Sequence, residues 1–565
     1  VALAGVLLAM LTSWPLVLHL PSRIAPDLGD PVRTAWEISW VGHAMLHDPL
    51  HLFDSNAFYP HPLSLAFSDS LLGYGPAAFF GSGTVAALVR YNLLFLLAWS
   101  LCFFGAYLLA RELGLGRLGG AAAGVAFAYA PYRVTEAGHL HVISSGGIAL
   151  ALFLLLRGYR RESRGLLVAG WAVSAWQLSL GFTLGLQFCY LLAILAALAL
   201  VHWWRGGRQT PLIPRRLVAV TLAGGVLVLL IGVYQARPYL KVAADYPTAK
   251  RTLSEVEKYS SGPAALLAAS SENRVWGDLT SGLRADVNSK NEAVFFPGGL
   301  IAVLAILGLL GLGGSPLSRG LRIGLGLGIV VVSVLAMGLG LTGAGYPYRL
   351  LYDYAPGWDG VRVPGRIFIT GTLFYALLAG AGAQWLLARS RRLGEQHALV
   401  ALPAVIATGL LVGLLGEGAG HLGHPVVPQP TKAEVGLPGP RLDLPTDGTD
   451  DRIWQYFSTD GFYKIPIGNS TFDIPVVDDL RGGMAGFPDR DSIEKLRFYH
   501  IRTVVLHLKP YPDLPPDNGF SEPTPRDPAA AAAKPIAGLG ITRRQAGNSV
   551  IYEIGPGPAA LHAGS

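Results

Sequence analysis

Six carboxylates and four imidazoles crowd into residues 21–69, directly after the first apolar segment. They are Asp27, Asp30, Glu37, Asp48, Asp54 and Asp69, with His43, His47, His51 and His61. Groups of these types do acid–base work when burial and neighbouring charges tune them. Asp27-Leu-Gly-Asp30-Pro31 is the sharpest part of the stretch. Gly29 permits a tight backbone, and Pro31 biases Asp30 away from the α region while suiting the first turn of a helix. Two roles follow for Asp30, a cap on that helix or a base facing a reacting group, and one carboxylate can serve both. Trp36, Ile38, Trp40 and Val41 then alternate with polar residues. That pattern predicts a helix lying at a membrane interface with its aromatics at headgroup level.

The elements that must hold these groups are membrane helices. Hydrophobic residues make up 51% of the 565-residue chain and charged ones only 14%, and mean hydropathy is +0.42. A soluble chain of this length is not so apolar, so the composition specifies a protein with many spans. Apolar stretches close to the length a helix needs to cross a bilayer lie near 1–20, 91–110, 118–134, 144–157, 165–182, 183–203, 216–235, 296–313, 321–341, 367–388 and 398–416, which predicts about eleven spans. Residues 71–89 are apolar too, but Gly73, Gly75, Pro76, Gly81 and Gly83 interrupt them, which predicts a re-entrant or interfacial segment. Val1–Leu20 has no basic leader and Ser13-Trp14-Pro15 is a poor cleavage site, so it reads as a retained first span. Cys102 and Cys189 sit inside apolar segments, with neither a disulfide framework nor metal-ligand spacing.

The net charge of +7 does not point to nucleic acid, because the basic residues gather in short loops between spans. Arg111–Arg117, Arg157–Arg164, Arg205–Arg216, Ser315–Arg322 and Arg389–Arg392 all fall on one side of an eleven-span alternation, which makes that side cytoplasmic. Loops 21–90, 135–143, 235–295 and 342–366 and the tail then lie outside. Three of these loops add candidate residues. Thr135–Ile143 carries Glu136, His139 and His141; His-x-His is a metal-binding spacing, but third and fourth ligands are not identified in the sequence. Arg237 and Lys241 form a basic pair where a span exits, suited to a phosphate and equally to snorkelling at a helix end. Arg362 and Arg366 defy the positive-inside trend, and an anionic headgroup would supply their partner.

Composition changes near Gly416. Residues 417–440 are rich in Pro and Gly and read as a linker. Residues 441–565 mix strand-like runs, Ile453–Phe457, Thr503–His507 and Ser549–Ile554, with a helix-like Asp491–Tyr499 for which Asp489, Asp491 and Ser492 offer N-terminal acceptors. The expectation is a small external α/β domain after a transmembrane domain, 1–416, whose loop 21–90 carries the chemistry. Pro510–Lys534 is low-complexity and reads as a surface excursion.

An early external Asp, many spans and an external C-terminal domain together resemble the C-type glycosyltransferases, integral membrane enzymes that use polyprenyl-phosphate-linked sugars. The phrases carrying the likeness are Gly29-Asp30-Pro31 with its Trp-rich helix, Phe58-Tyr59-Pro60-His61-Pro62 with Ser68-Asp69, Ala130-Pro131-Tyr132-Arg133 with His139, Pro238-Tyr239-Leu240, and Arg362-Val363-Pro364-Gly365-Arg366. They are similar to a group of bacterial membrane proteins in or near that superfamily and cover residues 1–416. The resemblance implies a polytopic α-helical protein of the plasma membrane that moves a sugar from a polyprenyl-phosphate donor to a glycan, lipid or protein acceptor on the outer face. It implies Asp30 as general base, with Asp27 beside it, in a single inverting displacement. The departing phosphate would meet Arg237, Lys241, Arg362 or Arg366, and His61, Asp69 and His139 would belong to the acceptor side and its loops. The acidic pair here is Asp-x-x-Asp, where the family often has an adjacent or Asp-x-Asp pair. That departure weighs against metal binding by the pair and leaves a divalent cation as the one cofactor in question.

Two other classes fit a polytopic chain. A transporter of a lipid-linked substrate would carry ionisable residues deep within its spans, and these spans are nearly charge-free. A non-catalytic envelope assembly or scaffold protein of the same fold would work through its tail, since fold does not dictate function.

Overall fold

The computed structural model describes the whole chain except residues 208–210, 291, 313, 343, 398, 473, 510–522 and 556–565. Much of the low-complexity excursion therefore lies outside the described residues; its later part holds a short helix, Pro528–Ala533. Each of the eleven apolar stretches contains a helix. Among the described residues, six helices are long and apolar enough to cross a membrane: Gly83–Glu112, Leu140–Arg160, Phe182–Arg205, Arg215–Asp245, Arg319–Ala336 and Pro364–Gln396. Ala2–Thr12, Gly299–Leu310 and Leu402–Glu417 are apolar but shorter. The glycine-interrupted stretch 71–89 divides into a 3-10 helix, Leu72–Phe79, and the first turns of the Gly83–Glu112 helix.

The chain packs into two compact units. One comprises Val1–Trp14, Phe95–Ala236 and Lys250–Leu422; the other comprises Pro15–Leu94, Arg237–Ala249 and Gly423–Ser565. The first is built on the Phe368–Gln396 helix, and 83% of the apolar window of Pro364–Gln396 is buried. Small residues let its neighbours approach. A Cβ at Gly308 would fall 2.0 Å from the Leu378 carbonyl oxygen, one at Gly382 2.0 Å from that of Leu304, and one at Gly380 2.5 Å from that of Gly119. Glycines facing one another across a crossing bring backbones into direct van der Waals contact, the way helices associate where lipid offers no hydrophobic drive. The Arg215–Asp245 helix is the opposite case. Only 11% of its apolar window is buried, and it presents Leu222, Leu229 and Leu230 outward, as a lipid-facing helix would.

The second unit is organised on the Asp30–His47 helix. Val32, Ile38 and Val41 are fully buried, Trp36 is nearly so, and the Trp36 indole donates to Asn56 Oδ1 at 3.0 Å. The interfacial helix predicted from the aromatic spacing is thus an interior one. Every residue from Pro31 to Ser39 is buried, because partner segments cover all its faces. One of them, Leu72–Phe79, comes so close that a Cβ at Gly42 would lie 2.4 Å from that of Ala78.

A four-stranded sheet closes the same unit, in the order β1-β2-β4-β3. Its strands are β1 (Arg441–Leu444), β2 (Thr503–His507), β3 (Ile541–Ala546) and β4 (Ser549–Ile554). β1 runs parallel to β2, and the other two pairings are antiparallel. Two expected strands are β2 and β4. The third run, Ile453–Phe457, is instead part of a helix, Asp450–Phe457. Its apolar residues Ile453, Trp454, Tyr456 and Phe457 recur at helical spacing. The Asp447 carboxylate accepts the backbone N–H groups of Thr449 and Asp450 at 2.6 and 2.5 Å, which caps that helix at its start. The expected helix is Arg490–Phe498, closed by a reciprocal capping box between Asp489 and Ser492.

Candidate active site

Within the second unit, the Asp30–His47 helix begins with Gly29 as its N-cap, so Asp30 occupies the first helical position and not the cap. The Asp27 carboxylate accepts the Gly29 N–H at 2.7 Å and holds the entering loop. Asp30, Arg33 and Glu37 recur at i, i+3 and i+7 and share one face of the helix. The Asp30 carboxylate is 28% exposed and stands between two guanidinium groups, with Arg33 Nη2 and Arg452 Nη2 each 3.7 Å away. Arg33 also donates to the Ser68 hydroxyl, and the Tyr239 hydroxyl donates to the Ser68 carbonyl at 2.8 Å. Glu37, next along the face, is buried. Neither of its oxygens has a hydrogen-bond partner among the described residues. Burial pushes its pKa up to about 8; Arg33 opposes the rise, and Asp69 and Asp30 add to it.

The remaining candidates of this unit lie in varied surroundings. His61 Nδ1 meets the Tyr246 hydroxyl at 3.0 Å, its Nε2 is buried without a partner among the described residues, and burial lowers its pKa. Phe67 joins the same wall, with its ring centroid 5.3 Å from that of Tyr246. Arg237 is exposed, while the Lys241 ammonium is taken by Asp245 at 2.9 Å.

In the first unit a second cluster forms around Arg366, which is buried. Its guanidinium lies 3.2 Å from Glu292, 3.7 Å from Glu136 and 3.2 Å from His141 Nε2. His139 joins through Nδ1, 3.0 Å from Glu136, and Nε2, 3.7 Å from Glu292. Burial and Arg366 pull the His139 pKa down, but Glu292 and Glu136 outweigh them and hold it above the usual imidazole range. Arg366 and His139, separate candidates in the sequence, therefore meet on the same two carboxylates. Glu136, His139 and Glu292 also place one ligand atom each within 4.8 Å of one another, the one such group among the described residues. Two carboxylates and an imidazole suit a divalent cation; here the Arg366 guanidinium supplies the counter-charge. Asp27 and Asp30 do not belong to such a group. Arg362 lies apart from this cluster, its guanidinium 5.2 Å above the Tyr259 ring.

Solved structures resembling this chain include sugar-transferring enzymes. A variant of the arabinofuranosyltransferase AftD from Mycobacteria superposes with a TM-score of 0.54 at 16% identity, covering 98% of this chain and 41% of that one. A second structure of AftD gives 0.51 at 17% identity, over 98% of this chain and 39% of that one. The chain shares the fold of these AftD structures over nearly its whole length. The chain spans about two fifths of the length of AftD. An oligosaccharyltransferase from Archaeoglobus fulgidus aligns more loosely, with a TM-score of 0.44 at 14% identity, over 90% of this chain and 69% of that one. No protein-family model and no curated protein matches the sequence. On this fold, the residues to which sequence reasoning gave no individual role are Arg33, Glu37 and Arg452. The i, i+3, i+7 spacing was a usable signal for the first two. Nothing local marked Arg452, which the fold of the tail brings to Asp30.

Proposed function

We propose that the protein transfers a sugar from a polyprenyl-phosphate donor to a cell-envelope glycan, lipid or protein acceptor on the outer face of the membrane. The observation that carries this reading is the partly open Asp30 carboxylate, fixed at the start of a buried helix between Arg33 and Arg452; the C-type fold supports it. Asp30 takes the proton of an acceptor hydroxyl as that oxygen bonds to the anomeric carbon. The bond from that carbon to the phosphate oxygen breaks in the same step, inverting the centre, and the lipid phosphate departs with the electron pair. A cation in a water-poor site stabilises that leaving charge. Arg237, exposed and in the same unit as Asp30, is the first candidate, and Arg33 and Arg452 hold the base in place. Asp27 shapes the loop, and His61 and Asp69 face the acceptor side. In the first unit, Arg362 and Arg366 remain the proposed contacts for the donor lipid's headgroup. About eleven spans, cytoplasmic basic loops and an external domain 441–565 behind a linker at 417–440 complete the reading.

A second reading, a non-catalytic envelope assembly protein of the same fold, is favoured by the engagement of Asp30 with two guanidinium groups. Asp30→Asn separates the two. With a polyprenyl-phosphate pentose or hexose as donor and a glycan acceptor, the base reading expects transfer to fall by roughly 10²–10⁴-fold. Expression and melting temperature should hold, and Asp27→Asn should cost less. Transfer by Asp30→Asn at the unaltered rate would overturn Asp30 as the base, and absence of transfer by the wild type would leave the assembly reading standing.

A further inference from the structure

In the first unit, a cleft of about 500 Å³ opens at the end of the Phe368–Gln396 helix. Gly308, Gly311, Leu312 and Gly314 form its floor, and Trp385, Arg389 and Arg392 form one wall. Trp385, Arg389 and Arg392 recur at i, i+4 and i+7, so they form a single stripe that runs from an aromatic ring to two cations along the helix. Among the described residues, no carboxylate lines the cleft. Arg322 lies against its edge. A side chain at Gly311 would collide with the Arg322 guanidinium, which donates to the Leu309 carbonyl at 2.8 Å. The Nε of Arg322 is buried and has no partner among the described residues. Snorkelling explains a single arginine at a helix end. It does not explain a concave, acid-free site with three guanidinium groups and an indole graded along its length.

We infer that this cleft binds the phosphate headgroup of an anionic phospholipid, with an acyl chain lying along Trp385 and Leu312. The shape matches that ligand. The arginines take the phosphate oxygens through paired N–H donors, the indole marks the boundary between headgroup and hydrocarbon, and a basic recess between membrane helices is a known way of holding such lipids. The glycine floor leaves room for the glycerol.

The test is a titration of the delipidated full-length protein in neutral detergent, with bound lipid counted by native mass spectrometry. The probes are phosphatidylglycerol, phosphatidylcholine and inorganic phosphate. Wild type is expected to bind phosphatidylglycerol saturably and at least about tenfold more tightly than phosphatidylcholine. Arg389→Gln/Arg392→Gln should lose that preference. Ala388→Phe, which keeps every charge and fills the cleft from an exposed position, should weaken binding as well. Arg160→Gln/Arg161→Gln, in a different basic loop, should change nothing. Equal binding of the two lipids would overturn the proposal, as would undiminished binding by the double variant. Wild-type affinity in Ala388→Phe would assign the lipid to surface charge and overturn the cleft. Displacement of phosphatidylglycerol by an equal concentration of inorganic phosphate would make the ligand a free phosphate and overturn the lipid.

Discussion

A carboxyl group buried without a hydrogen-bond partner among the described residues, as at Glu37, is comfortable only while it keeps its proton. Its folded pKa of about 8 lies well above the value of about 4.3 expected in an unfolded chain. Between the two the folded state binds the extra proton, so its contribution to stability is full at low pH and is lost as pH rises through the folded value. The melting temperature of the wild type should therefore fall by about 2 °C or more between about pH 6 and about pH 9. Glu37→Gln, a neutral mimic, should flatten that part of the profile; a parallel slope in both proteins would count against Glu37. Arg366 gives a second prediction at this scale. Arg366→Gln leaves Glu136 and Glu292 without their guanidinium and should cost about 3–5 kcal/mol in denaturant unfolding, as breaking a buried ion pair does. A variant of wild-type stability would detach Arg366 from a structural role. Asp30 was legible in the sequence because Gly29 and Pro31 frame it. Its two guanidinium neighbours were not equally so, because Arg33 is one helical turn away and Arg452 is brought in only by tertiary folding.

Helix crossings set the next level. Gly308 and Gly382 face the backbone carbonyls of Leu378 and Leu304 at distances no Cβ can share, so Gly308→Val or Gly382→Val must push the two helices apart. A loss of about 1–3 kcal/mol or more is expected from such overpacking, visible as a lower melting temperature. Gly409→Ala, where nothing lies within 4 Å, should be neutral. Helix positions were readable because apolar runs in a membrane chain leave few alternatives. The interior of the second unit was harder to read. Trp36 and Trp40 look interfacial beside polar residues, yet Trp36 donates to Asn56 and Trp40 to the Leu52 carbonyl, and those polar partners come from a loop with no periodicity of its own. Ile453–Phe457 misled for a related reason, since its aromatics suit a strand until Asp447 caps the turn before it.

For the molecule as a whole, the orientation proposed from the basic loops is open to direct labelling. In a background lacking Cys102 and Cys189, Arg161→Cys and Arg490→Cys place thiols at two exposed sites, one in a basic loop and one in the tail. An impermeant thiol reagent applied to intact cells should modify Arg490→Cys and spare Arg161→Cys. The reverse pattern would invert the topology and put the Asp30 loop in the cytoplasm. The sequence conveyed the class because hydropathy acts over short spans. It did not convey the division into two units, since each gathers segments far apart in the chain.

That interleaving has a consequence for how the protein is made. The loop bearing Asp30 leaves the ribosome before Arg452 and the sheet of its unit are translated. Long-range contacts of this kind cannot form until both ends exist. Throughout synthesis the nascent chain carries the Asp30 carboxylate without the Arg452 guanidinium beside it, and the finished arrangement appears only once the tail has folded. Assembly of the candidate site thus waits on the translation of Arg452, and a chain cut short before that residue would enter the membrane with the site unfinished.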